Sequence, residues 1–208
     1  MSGMTTPASR PDEDEVRLSE RGPSTRRVII GYGFWLFLLS DIIVFSALFA
    51  AYAVLAGNTA GGPSGLQLFH RDNVLIETGC LLLSSFTCGV LSLAIDVRRR
   101  SLTFLFAALT FALGAAFLWL ELREFADMID HGAGPQRSAF LSAFFALVGM
   151  HGLHVTIGLC WLASMMAQVA TLGYSPMVVG RLVCFSLFWH ALDIVWIGVF
   201  TIVYLGAH

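Results

Sequence analysis

The sequence predicts an all-α polytopic membrane protein, a bundle of five transmembrane helices with a cytoplasmic N-terminus and a periplasmic C-terminus. Three observations carry that reading. The 208 residues are 57% hydrophobic and only 12% charged, about half the charge of an ordinary soluble domain. Mean hydropathy is +0.77. Five stretches are each apolar over the roughly 20 residues that a helix needs to cross the hydrocarbon core. Short alternating segments of the kind that build membrane β-barrels are missing, so helices must satisfy the backbone in lipid.

The elements follow in order. Residues 1–27 hold five Arg and five acidic residues and no apolar run. They read as a polar cytoplasmic tail rather than a cleavable signal, ahead of one membrane domain over 28–208. The first span covers about 28–56, with Asp41 as its only charge, and ends at the turn-rich run Gly57 to Pro63. The second covers about 74–95 and contains Glu77. Asp96 to Arg100 forms a short basic loop. The third span, about 101–120, carries no charge, and the mixed segment Glu121 to Arg137, with Gly132, Gly134 and Pro135, reads as a loop. The fourth, about 138–170, lacks Asp, Glu and Arg but contains His151 and His154. Its length of roughly 50 Å at 1.5 Å per residue requires tilt or projection from the bilayer. Gly173 to Arg181, containing Pro176, separates it from the fifth span, about 182–206, with His190 and Asp193.

Arginine placement sets the expected orientation, because cytoplasmic loops collect basic residues. Arg26, Arg27, Arg98, Arg99, Arg100 and Arg181 lie on one side, against Arg71, Arg123 and Arg137 on the other. Trp35, Trp119 and Tyr204 fall near expected helix ends, where an interfacial aromatic belt belongs. The four cysteines, Cys80, Cys88, Cys160 and Cys184, lie in apolar runs without a CxxC pair, and read as buried free thiols. A net charge of −2 gives no basic surface for nucleic acid.

Ionizable residues inside spans are costly and usually face a bundle interior with a partner. Asp41 is central in the first span. His151 and His154 share a face of the fourth, and His190 and Asp193 share a face of the fifth, each pair being three residues apart. They are expected to form one internal polar cluster joining helices one, four and five. Glu77, Glu121 and Glu124 are expected as an outer group of acids, solvated at helix ends. Imidazoles ligate haem and metals, but two His at this spacing cannot both face one iron, so structural hydrogen bonding is the expectation. Asp41, His190 and Asp193 remain open between a proton-relay role and a structural or lipid-headgroup role. Gly149 and Gly152 permit close helix contact. No nucleophile–base pair or phosphate loop is present. On residue chemistry alone, a transporter, an oxidase subunit and a scaffold all stay open.

The run Gly149-Met150-His151-Gly152-Leu153-His154-Val155 and the run Phe188-Trp189-His190-Ala191-Leu192-Asp193-Ile194-Val195-Trp196 resemble the HGxHV and WHxxDxVW signatures of subunit III of haem–copper oxidases. Gly33-Phe34-Trp35 followed by Leu39-Ser40-Asp41 resembles the family's first shared helix, where the intramembrane acid is often Glu. The resemblance spans about residues 31–206. Five helices rather than seven match the short form of the bo-type ubiquinol oxidases, as do the runs 134–149 and 49–55.

The resemblance implies a complex that oxidizes ubiquinol, reduces dioxygen to water and pumps protons in a bacterial cytoplasmic (inner) membrane. It implies no catalytic residue, metal or redox centre in this chain. Haem b, haem o, copper and ubiquinone are expected in partner subunits. The expected partners are subunit I as the main contact, subunits II and IV, and bound phospholipid. The competing readings are a proton-coupled small membrane transporter using Asp41 and the histidines, and a di-haem membrane cytochrome. No inverted repeat supports the transporter.

Overall fold

The computed structural model describes residues 26–57 and 71–205. Most of the expected N-terminal tail and of the turn-rich run after Gly57 lies outside the described residues. Five long helices are present: α1 (Arg26–Leu55), α2 (Arg71–Asp96), α3 (Arg100–Asp130), α4 (Ala139–Leu172) and α5 (Pro176–Val199), the last continued by a π-helical turn, Phe200–Leu205. All five are long and apolar enough to cross a membrane, and no strand occurs among the described residues.

Two helix boundaries differ from expectation. Helix α3 runs ten residues beyond 120, through Glu121, Arg123 and Glu124. The charges there suggest a loop, yet no helix breaker appears before Gly132. At that glycine (φ 72°) the chain turns left-handed. Gly132 N–H then donates to Ile129 O and Ala133 N–H to Met128 O, closing the helix with a Schellman motif. Met128 and Ala133, the apolar pair of such a motif, are both buried. Helix α5 starts six residues before 182, because Pro176 opens it rather than interrupting a loop. A proline at the first helical position has no N–H to lose, and Ser175 Oγ caps the turn by accepting from Val178 N–H.

The α2–α3 connection is also a Schellman turn, with Arg98 in the left-handed conformation (φ 54°). Arg98 N–H donates to Ile95 O and Arg99 N–H to Ala94 O. The Arg100 guanidinium donates to Val169 O and Ala170 O. It thereby supplies a donor to Ala170 O in the last turn of α4 and joins the Gly173 N–H on Val169 O. Helix α4 is capped by Ser138, whose Oγ accepts from Leu141 N–H, and ends at Gly173.

The helices close into a ring. Helix α1 packs on α4, α4 on α3, α3 on α2, α2 on α5 and α5 back on α1, while α4 and α5 also meet directly. The middle of the ring holds large, fully buried side chains: Trp189, Trp196, Phe117, Phe144, Phe185 and His151. Trp189 sits in a slot cut by glycines of two neighbours. A Cβ on Gly158 would lie 2.7 Å from its ring, and one on Gly114 would lie 2.9 Å away.

Candidate functional site

Indole N–H groups buried in an apolar interior require acceptors. Trp189 Nε1–H donates to Ser84 Oγ at 2.9 Å, and Trp196 Nε1–H donates to Thr78 Oγ1 at 3.1 Å. One turn further along, Ser92 Oγ donates to Ser186 Oγ. The α2–α5 contact is therefore a seam of hydroxyls facing indoles, and it fixes the rotation of α5 about its axis.

That rotation divides the expected five-residue cluster. Asp41 and His154 do meet, His154 Nε2 lying 3.6 Å from Asp41 Oδ2 across the α1–α4 contact. Phe45 and Phe188 pack against the imidazole. His154 Nδ1 lies 2.8 Å from Met150 O, so this nitrogen must carry the hydrogen. Nε2 then faces Asp41 favourably only with a further proton on the imidazole or on the carboxyl. The contact brings an imidazole and a carboxylate from two helices within ion-pair range. It is the one ion pair among the described residues.

His190 and Asp193 point elsewhere. Phe188, Ala191, Leu192 and Val195 are the α5 residues turned toward Asp41. His190 and Asp193 occupy the stripe facing α2, where His190 Nδ1 and Ser85 Oγ are 2.7 Å apart and Asp193 lines the same groove. A spacing of three residues places two side chains on one face of a helix but does not say which neighbour that face meets.

His151 is fully buried. Phe45, Phe117 and Trp196 surround its ring, with centroids 6.4, 5.7 and 5.1 Å away. Neither ring nitrogen has a hydrogen-bond partner among the described residues. No group of three or more His, Cys, Asp and Glu side chains among the described residues is arranged to hold a metal ion.

The acids expected to be solvated are not. Glu77 and Glu121 are 1% and 2% exposed, because the continued α3 helix holds Glu121 against α4 rather than at a free end. A Cβ on Gly152 would lie 2.8 Å from Glu121 Oε1, so the glycine makes room for the carboxyl. Glu124 joins the group through Tyr204, whose hydroxyl donates to Glu124 Oε2 at 3.4 Å. Tyr204 is consequently buried and is no part of an interfacial belt, whereas Trp35 and Trp119 are exposed. Of the four free thiols, Cys88 is buried and Cys160 is exposed.

Sequence reasoning missed Ser84, Ser85 and Thr78. The available signal was a pair of serines in the middle of the apolar second span, level with the Trp-His of the fifth.

Comparison with known proteins agrees with this architecture. The family described as cytochrome c oxidase subunit III matches residues 16–208. The cytochrome bo(3) ubiquinol oxidase subunit 3 of Pseudomonas aeruginosa is 52% identical over 174 residues, covering 84% of this chain and 83% of that protein. The protein of the same name from Pseudomonas putida is 54% identical over 173 residues, covering 83% and 84%. The quinol oxidase subunit 3 of Bacillus subtilis is 44% identical over 175 residues, covering 83% and 85%. With the match running through all five helices and both histidine-bearing segments, the chain belongs to the cytochrome c oxidase subunit III family.

Proposed function

We infer that this chain is subunit III of a ubiquinol oxidase, a membrane oxidoreductase of several subunits. The carrying observation is the identity of 52–54% to proteins named cytochrome bo(3) ubiquinol oxidase subunit 3, over more than four-fifths of both chains. The quinol oxidase subunit from Bacillus, at 44%, supports quinol as the electron donor of the complex.

The finer reading is as follows. The haems, the copper and the quinol belong to partner subunits, with subunit I as the main contact and subunits II and IV alongside. This chain contributes no redox group. Its task is to brace subunit I and to hold phospholipid at its flank, in a bacterial cytoplasmic membrane with the N-terminus inside. The Asp41–His154 contact supports the bracing role, since it ties α1, the least buried helix, to the centre of the ring.

Purification in mild detergent tests the assignment. The chain is expected to emerge with haem- and copper-bearing partners that oxidize ubiquinol, and to show no Soret band when isolated. Recovery alone, with proton-coupled transport in vesicles, would favour the transporter. The variants Asp41→Ala and His154→Ala are expected to shorten the working life of the oxidase under turnover more than they lower its initial rate. Immediate total loss of activity in a fully assembled complex would contradict the bracing role.

A further inference from the structure

Helices α2 and α3 pack side by side and bring three carboxyl groups to one end of the bundle. Glu77 lies four residues after Asn73, where the span of α2 begins, and Glu121 lies nine residues before Asp130, where that of α3 ends. Tyr204, next to the last residue of the fifth span, adds its hydroxyl. Glu77, Glu121 and Glu124 are all within electrostatic range of one another.

The group is buried and short of donors. Both oxygens of Glu77, both of Glu121 and Oε1 of Glu124 have no hydrogen-bond partner. They are five of the eight such buried atoms among the described residues, so the unmet pairing is concentrated here. Glu121 is aimed inward by α4, since a Cβ on Gly152 would lie 2.8 and 2.9 Å from its two oxygens. The Tyr204 hydroxyl reaches only Glu124 Oε2.

Charge is not balanced either. The chain has no Lys, and no side chain of the described residues forms an ion pair with these acids. Arg123 and His131 are exposed, and Arg137 donates to Gly132 O. On α4, His151 turns its ring to Phe45, Phe117 and Trp196. Asp127, exposed one turn beyond Glu124, adds another negative charge.

A buried charge without a partner gives way to its neutral form. Hydrogen bonding points the same way. Ionised carboxyls only accept, so three of them cannot satisfy one another, whereas a protonated carboxyl both donates and accepts. A metal ion would need converging ligands, and no group of His, Cys, Asp and Glu among the described residues is so arranged. We propose that Glu77, Glu121 and Glu124 form a proton-binding site. In it, Glu77 and Glu121 are neutral carboxylic acids that donate to neighbouring carboxyl oxygens, while Glu124 accepts from Tyr204. A subunit that only braces its neighbour has no need of such a site, and the protons are held whichever electron donor the complex uses.

Infrared difference spectra of the complete oxidase at neutral pH test this, native against Glu77→Gln and against Glu121→Gln. Each substitution deletes one carboxyl. It must therefore delete either the carbonyl stretch of a protonated acid or the two stretches of a carboxylate. Loss of the protonated-acid band, which moves to lower frequency in D2O, is expected for both. Loss of carboxylate bands at either position overturns the proposal. Asp127→Asn, at an exposed acid, supplies the carboxylate reference. Glutamine matches a neutral acid in size and can donate as well as accept, so both variants are expected to remain in the detergent-washed complex at the native level. Failure of both to assemble also overturns the proposal, because a site that holds neutral acids accepts a neutral isostere.

Discussion

Asp41 on α1 and Asp193 on α5 are the same residue type at similar depth in their spans, and the molecule treats them in opposite ways. Asp41 belongs to a helix that is mostly exposed, yet it faces inward and meets a histidine of α4. Asp193 belongs to a helix with a well-buried face, yet it lines an outward groove and leaves one oxygen without a donor. The first acid completes a contact within the chain. The second shares the α2–α5 contact with Ser85 and His190 and keeps one buried oxygen without a donor. In a membrane, where apolar burial between helices drives little, such polar contacts decide which faces of the helices meet.

The contrast depends on the rotation of α5, so the largest effects are expected where that rotation is fixed. Trp189→Ala removes the indole from its slot and its bond to Ser84. Loss of so large a core side chain costs about 3–5 kcal/mol. Thermal unfolding of the purified chain in detergent should show this as the largest drop among the substitutions considered. A freed α5 should also loosen both acid sites together. If His190 and Asp193 kept their surroundings in Trp189→Ala, the seam would not be what orients them.

Gly158→Ala approaches the same point from the other helix. The new methyl would lie 2.7 Å from the Trp189 ring, a core ring held on its other sides, so α4 and α5 must separate. Overpacking of this kind costs about 1–3 kcal/mol, less than losing the indole. The chain should unfold at lower temperature while Asp41 and His154 remain in contact. Gly149→Ala, where the nearest neighbour is 3.8 Å from the added atom, serves as the control and should change little.

The five spans and the inward need of their ionizable residues were legible in sequence, because apolar length and the cost of charge in lipid are local properties. The grouping of those residues was not. Spacing of three residues fixes His190 beside Asp193 and His151 beside His154, but the ring order that sets α5 against α2 comes from packing between distant segments. Glu121 and Glu124 are hard to place for a different reason: their charge suggests a loop, although Gly132 is the first residue able to end the helix. Tyr204 falls near the expected end of the fifth span, as a belt residue would, yet it lies buried in a π-helical turn with its hydroxyl on Glu124. The two serines of α2 carried a readable signal, hydroxyls in mid-span opposite Trp189 and His190, that only a pairing of helices makes meaningful.

The smallest expected effect distinguishes the two aspartates most directly. A double-mutant cycle with Asp41→Asn and His154→Ala in the isolated chain should yield a coupling of about 0.6 kcal/mol and no more than about 1.7, the range of hydrogen bonds between membrane helices. The pair is partly exposed and 3.6 Å apart, which argues for the lower end. Asp193→Asn should behave differently in the same chain: an amide keeps the size of the carboxyl and brings a donor of its own, so stability is expected to stay level or rise slightly. A coupling of zero at Asp41–His154, together with a large loss at Asp193→Asn in the isolated chain, would mean that the inward and outward roles have been assigned to the wrong acids.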